Sequence, residues 1–391
     1  MKEIVIAGAT RTAIGDFGGA LRALPPLDLA QHVIEEVITR SQVQPEWIDK
    51  VIFGCCFGPV EQNIARNAAY NAGIPKEAPG FTINSTCGSS MQAIISAVQS
   101  IQCGESDLIL AGGVESMSNA PYIMESARWG QRLRHAEACD LVWKGMQEPI
   151  IGVGMGLTAE NLAEKYQVSR QEQDAFAVLS HQRAAKAIAE GKFLNEITPI
   201  SIPVRRGEPV VFDTDEHPRP GTSLEGLAKL PAIFKKDGTV TAGNACGMND
   251  AASAVVVVEW EKAKELGLKP LARIKEYHVA GVDPDYMGIG PVPAIREALK
   301  KAKHNLSDID RFEINEAFAA QYLACEKELG LDRNKVNVYG NGIALGHPVG
   351  ATGCRLVVTL LYGMLAEQLS LGIASLCAGG GMGFALLLER L

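Results

Sequence analysis

The chain has 391 residues, 47% of them hydrophobic and 21% charged, with a formal net charge of −8. A chain of this length exceeds one ordinary core, so two or three structural units are expected, and its apolar content excludes general disorder. The acidic balance excludes a global basic field for nucleic acid. Nine cysteines, an odd number without zinc spacing, point to free thiols in a reducing cytoplasm. The opening MKEIVIAGATRT reads as a strand rather than a leader. No apolar run approaches the roughly 18 residues of a bilayer span, so no membrane partner is expected.

In chain order, residues 4–7 form a short apolar run closed by Gly8 and read as a buried strand. Leu29, Val33, Ile34, Val37 and Ile38 follow helical spacing over 27–41. Residues 51–54 and 81–84 read as strands, and the second leads through Cys87 and Gly88 into a helix marked by Met91, Ile94, Ile95, Val98 and Ile101. Gly104 ends that helix and 108–111 returns as a strand. Strands alternating with helices define an α/β layered fold. The order recurs later: a strand near Ile274, a helix through Ile295 and Leu299, and strands at 312–314, 336–339, 373–376 and 384–388, with a helix at Val357, Val358, Leu361 and Leu365. Two similar halves, 1–118 and 250–391, are therefore expected. The insertion between them, 119–249, holds polar helices, among them one with a capping box at Ser169 and Glu172, and a Pro/Gly-rich stretch at 199–231. It reads as a cover rather than a third core.

Four segments stand at or just beyond predicted strand ends, the edge where open α/β sheets place their sites. Cys87 lies between a strand and the first turn of an apolar helix, where free N–H groups and the helix dipole would favour a thiolate nucleophile. An arbitrary cysteine is more often a small buried thiol at a turn, but Gly88 and the strand–cysteine–helix context weigh against that here. His347, in Gly-His-Pro, is the one histidine of seven set among so many glycines, and can serve as general base or oxyanion donor. Cys377 precedes Ala378-Gly-Gly-Gly-Met-Gly383, a loop whose backbone can approach a ligand but which lacks the P-loop pattern. Asn315 is a neutral donor that could hold a water, or simply cap a turn.

A cysteine after a strand, a late Gly-His-Pro and a C-terminal Cys-x-Gly-Gly-Gly-Met-Gly together resemble the thiolase family, over almost the whole chain. The resemblance implies a five-layered α-β-α-β-α fold from two halves, an inserted loop domain that binds coenzyme A, and homodimers or homotetramers. It makes Cys87 the acylated nucleophile, His347 its activator and Cys377 the acid/base for the second substrate. Asn315 would orient a water beside the His347 imidazole, and the N–H groups of Cys87 and Gly379 would hold the thioester oxyanion. The implied reaction condenses two acetyl-CoA to acetoacetyl-CoA and CoA, or cleaves a 3-ketoacyl-CoA by thiolysis, within fatty acid metabolism. Acyl-CoA and CoA are the implied partners, with no metal and no redox cofactor. Met155 and Met287 would line the acyl pocket; Ala242, Cys246, Ala317 and Phe318 would touch CoA, with Arg219 near its phosphates. Three departures stand out: Gly154 where short-chain members carry histidine, Cys246 where serine is common, and Tyr339-Gly-Asn-Gly342 for Asn-Gly-Gly-Ala. A rival reading is a catalytically silent homologue serving as a CoA-binding or scaffold subunit.

Overall fold

The computed structural model describes residues 2–391 apart from 59, 60, 131, 132, 134, 149, 205 and 206. The first half contributes strands β1 (Ile4–Thr12), β2 (Lys50–Gly54), β3 (Gly80–Ile83), β4 (Leu108–Ser116) and β5 (Asn249–Glu259). The second contributes β6 (Ala272–Gly281), β7 (Arg311–Ile314), β8 (Leu371–Ala378) and β9 (Met382–Arg390). They hydrogen-bond in the order β7-β8-β9-β6-β1-β5-β4-β2-β3. The halves meet in that sheet through two residue pairs only, Val5 with Arg273 and Ile6 with Ala272.

The principal helices are α1 (Pro26–Ser41), α2 (Ile64–Asn71), α3 (Ser89–Gln102), α4 (Met155–Lys165), α5 (Arg170–Ala189), α6 (Pro291–Ala302), α7 (Ala319–Leu329) and α8 (Val349–Glu367). Their apolar faces sort into layers. Leu29, Val33 and Val37 of α1, with Ala65 and Ala68 of α2, cover Val51, Phe53 and Val256 on one face of the first half. Met91, Ile94 and Val98 of α3, with Val357, Val358 and Leu361 of α8, fill the middle, between Ile109 and Val255 on one side and Leu376 and Leu386 on the other. Ile295 of α6 and Leu323 of α7 cover Ile314, Ile373 and Leu387 from outside. The sequence α-β-α-β-α is thus written in three separate apolar clusters.

β5 explains why its run of valines is unbroken. Val256 and Val258 enter one cluster while Val255 and Val257 enter the next, so both faces are dry and no polar alternation is needed. The 19-residue helix α8 has the length and hydropathy of a membrane span, contrary to the reading from runs alone. Its apolar surface is instead buried between the two β layers. Each such Val or Leu contributes about 1.5–3 kcal/mol by burial.

Two expectations are corrected. β5 pairs antiparallel with β4 and β1, so the chain returns to the first half after the insertion and the second half does not begin at residue 250. Residues 336–339 form no strand. Val336 makes a single bridge to Phe312, and Asn337 turns left-handed at φ 48°. The Asn337 side chain then serves as a polar clip, bonding Ile314 N at 2.9 Å, Ile314 O at 2.8 Å and Glu316 Oε1 at 2.9 Å. The insertion is tied down by charge: buried Arg11 of β1 meets Glu196 at 2.6 Å and Asp215 at 2.7 Å. Removing one member of such a buried set typically costs about 3–5 kcal/mol.

Candidate active site

One cavity of about 1230 Å³ opens where the insertion faces the ends of β4, β7 and β8. This exceeds the roughly 300–1,000 Å³ of a common small-ligand pocket, so a large ligand is called for. Cys87, His347 and Gly379 line it. So do Met155, Arg219, Ala242, Cys246, Met287, Ala317 and Phe318. Asn315 and Cys377 are buried and do not line it.

Cys87 is set on the turn into α3. Thr86 holds the left-handed conformation at φ 50°, and its hydroxyl reaches Gly379 O at 3.1 Å, fastening the cysteine turn to the glycine loop. Gly88 follows because a Cβ there would lie 2.2 Å from the Phe384 ring. Burial pushes the Cys87 thiol up to about 11, although the N–H groups of Gly379 and of Cys87 itself face the sulfur and pull the other way. The expected thiolate is therefore corrected to a neutral thiol, because desolvation outweighs the amide donors.

His347 follows Gly346, whose φ of 105° turns the chain sharply before the Pro348 entry to α8. Its N–H donates to Asn249 Oδ1 at 2.9 Å and its Nδ1 lies 2.7 Å from Thr352 Oγ1. Burial, reinforced by the Arg355 cation, lowers its pKa to about 3, so the imidazole is neutral. Asn315 Nδ2 lies 3.4 Å from both ring nitrogens. Gly342 is needed beside it, since a Cβ there would stand 2.7 Å from Asn315 Oδ1. Asn341 completes the altered Tyr339-Gly-Asn-Gly342 stretch by accepting from Arg355 at 2.7 Å and donating to Glu313 at 2.7 Å.

Cys377 is the penultimate residue of β8, and its thiol is held well above its ordinary value by burial first and then by the sulfurs of Cys87, Cys325 and Cys246. Cys246, beside them, is pushed up to about 12 by burial. Met155 packs over the glycine loop, so that a Cβ at Gly379 would come within 2.6 Å of its methyl. Arg219 is exposed at the mouth, and its N–H donates to His181 Nδ1 at 3.2 Å.

Two buried acids were not foreseen. Glu115, at the end of β4, accepts from Cys56 N and Phe57 N at 3.0 Å and from Gly350 N at 2.9 Å, joining the loops on either side of Cys87 and His347. Burial raises its pKa to about 7. Glu148 of the insertion accepts from Gly380 N at 2.6 Å and fixes the glycine loop. For Glu115 the sequence signal was an acid at the end of an apolar strand, which periodicity alone reads as a strand end; Glu148 follows no apolar run.

A neutral thiol, a neutral imidazole, amide donors aimed at the sulfur and a second thiol close by define a thiol-dependent acyltransferase. Residues 4–261 match "Thiolase, N-terminal domain" and 268–390 match "Thiolase, C-terminal domain". The acetyl-CoA acetyltransferase of Pseudomonas aeruginosa is 51% identical, with 100% of each chain covered. That of Syntrophomonas wolfei is 49% identical, again over 100% of both. The crystal structure of the Bacillus anthracis acetyl-CoA acetyltransferase superposes with a TM-score of 0.98 at 53% identity, covering 100% of this chain and 99% of that one. Human mitochondrial 3-ketoacyl-CoA thiolase in complex with CoA gives 0.96 at 42%, covering 100% and 98%. The chain belongs to the thiolase family.

Proposed function

We propose that this thiolase transfers acyl groups between CoA thioesters through a thioester on Cys87. It condenses two acetyl-CoA to acetoacetyl-CoA and CoA, and in reverse cleaves 3-ketoacyl-CoA by thiolysis. The observation that carries this reading is the meeting of Cys87, His347 and Gly379 on one cavity, with the buried Cys377 thiol held up in part by the Cys87 sulfur.

Neutral His347 takes the proton of the Cys87 thiol as the sulfur attacks the acyl carbon. The N–H groups of Cys87 and Gly379 hold the oxyanion, each worth about 10²–10³ in rate. CoA leaves as a thiolate. Cys377 starts as a neutral thiol, so it must give up its proton before it can act as a base, and the departing CoA thiolate is the acceptor that the first half-reaction supplies. The resulting Cys377 thiolate then removes an α-proton from the second acetyl-CoA, and the carbanion attacks the acyl-enzyme, expelling the Cys87 thiolate, which takes back the proton held by His347. Asn315 and His347 favour the enolate oxygen in that step. The thioester itself acidifies the α-carbon, so the chemistry needs neither metal nor redox cofactor.

The CoA end of the substrate takes the wall of Ala242, Cys246, Ala317 and Phe318, with Arg219 toward the phosphates. Met155 and Met287 face the acyl portion. Chemistry on two free thiols supports a reducing, cytoplasmic setting. Exposed Tyr122, Trp129 and Leu133 on the insertion support a homodimer or homotetramer. The test is intact mass after mixing with acetyl-CoA. One acetyl adduct, lost in Cys87→Ser, is expected; no adduct at any concentration would favour a silent CoA-binding homologue.

A further inference from the structure

The insertion meets the glycine loop through one carboxylate. Just ahead of α4 a short antiparallel hairpin pairs Gln147 with Gly154 and Glu148 with Val153. Gln147, Gly154 and Met155 of this segment line the cavity, whereas Glu148 does not and is fully buried. Its Oε2 accepts from Gly380 N at 2.6 Å and its Oε1 from Ile150 N at 3.1 Å. A carboxylate shut away from water must be held by such donors, and one of these two belongs to the loop that carries Gly379.

That loop has little stiffness of its own. Gly379, Gly380 and Gly381 connect β8 to β9 after their last pair, Ala378 with Met382. Gly380 and Gly381 have φ of 85° and 73°. Glycine takes either sign of φ without steric cost, so the loop itself does not fix which way the Gly379–Gly380 peptide faces. It is held from outside at both ends. Glu148 takes the N–H of Gly380, and Thr86 Oγ1 lies 3.1 Å from the carbonyl oxygen of Gly379. Thr86 directly precedes Cys87, so one peptide unit joins the insertion to the turn of the nucleophile. The peptide before it carries the Gly379 N–H, which faces the Cys87 sulfur.

We propose that Glu148 is a positioning residue for the oxyanion donor at Gly379: by holding the N–H of Gly380, it sets the direction of the Gly379 N–H toward the thioester carbonyl on Cys87. The proposal rests on the acyl-transfer reading and adds to it a working residue from the insertion. Glu148 acts by direction rather than charge, since a carboxylate close to a forming oxyanion opposes it by like-charge repulsion. A neutral group that accepts from Gly380 N in the same place therefore serves as well, and glutamine supplies one.

The experiment compares the full-length wild type with Glu148→Ala and Glu148→Gln on mixing with acetyl-CoA. Two readings are taken: the burst of CoA release, and the infrared band of the acyl carbonyl in the acetyl-enzyme, assigned by isotope labelling of that carbonyl. In Glu148→Ala the acylation rate is expected to fall by about tenfold to a hundredfold, short of the ~10²–10³ that outright loss of a donor costs. The acetyl-CoA concentration giving half the maximal rate stays within about threefold, because Glu148 does not line the cavity. The carbonyl band moves to higher wavenumber, since a misdirected donor polarises the carbonyl less. Glu148→Gln restores both rate and band. Where Glu148→Ala does not fold, Glu148→Asp withdraws the same carboxylate by one methylene and is judged by the same two readings. An unchanged rate and band, a slower rate with an unmoved band, or a glutamine variant as slow as the alanine one would overturn the positioning role and leave acyl transfer standing. A wild type that forms no acetyl adduct would overturn both.

Discussion

The hydroxyl of Thr352 lies 2.7 Å from Nδ1 of His347 and donates its own hydrogen to Pro348 O at 2.9 Å. A hydroxyl has one hydrogen, so with that hydrogen committed the oxygen accepts, and Nδ1 must carry the proton. Nε2 is left with a lone pair, which is the form a general base requires. Thr352→Val removes this selection without changing side-chain volume. The rate of acylation, read as the burst of CoA release, is expected to fall by about tenfold to a hundredfold. Thr352→Ser keeps the hydroxyl and should restore most of it; equal losses in both would point to packing instead.

The depressed His347 and elevated Cys87 values predict an unusual pH profile. The imidazole is a free base above about 3 and the thiol stays protonated below about 11. Acylation should therefore run flat between about pH 6 and pH 9, whereas a thiolate–imidazolium pair would give an acid limb in that range. Stability carries the same signature with a definite sign. Below 6.5 the unfolded chain protonates this histidine while the folded chain does not. The stability contributed by neutral His347 is thus complete above 6.5 and is lost as pH falls toward about 3. Urea unfolding should show His347→Asn losing less stability than wild type between about pH 7 and about pH 5.

How far the site could be read in advance depended on whether each residue acts through its position in the chain or through its neighbours. Cys87, His347 and Cys377 each follow an apolar strand or glycine turn, and chain order alone placed them at sheet ends. The layers were legible because residues such as Leu29, Val33 and Val37 share a helical face. The ionisation state of Cys87 was not legible, since it is set by burial under an insertion whose docking no periodicity reveals. The strand expected at 336–339 failed for a local reason: the apolar run is interrupted by Asn337, whose side chain found better partners in Ile314 and Glu316 than a ladder would offer. Glu115 was silent because its partners are backbone groups distant in sequence.

Glu115 gives a stability prediction. Its Oε2 accepts from Cys56 N and Gly350 N and its Oε1 from Phe57 N. Glutamine at this position offers one accepting oxygen and turns an amide toward at least one of these donors. A buried donor left without a partner costs about 1–3 kcal/mol. Glu115→Gln is expected to lower the urea midpoint accordingly, and to slow acylation because the Cys56 and Gly350 loops flank Cys87 and His347. An unchanged midpoint would mean that the three bonds contribute little.

Cys377 separates the two half-reactions. Acylation of Cys87 uses His347 and the amide donors, and Cys377 enters it only by protonating the departing CoA thiolate, a proton that water can supply in its place. Condensation requires a base at the α-carbon of the second acetyl-CoA, and Cys377 is the buried thiol whose neighbours include Cys87. Cys377→Ala should therefore still form the acetyl adduct, while acetoacetyl-CoA synthesis falls by about 10²–10⁴, the usual contribution of a positioned acid or base. Cys87→Ser should lose both. Mass spectrometry of the adduct and absorbance of acetoacetyl-CoA distinguish these outcomes on the same samples. If Cys377→Ala condensed acetyl-CoA at near the wild-type rate, the α-proton would have another acceptor; if it failed to acylate at all, the two sulfurs would not be dividing the reaction between them.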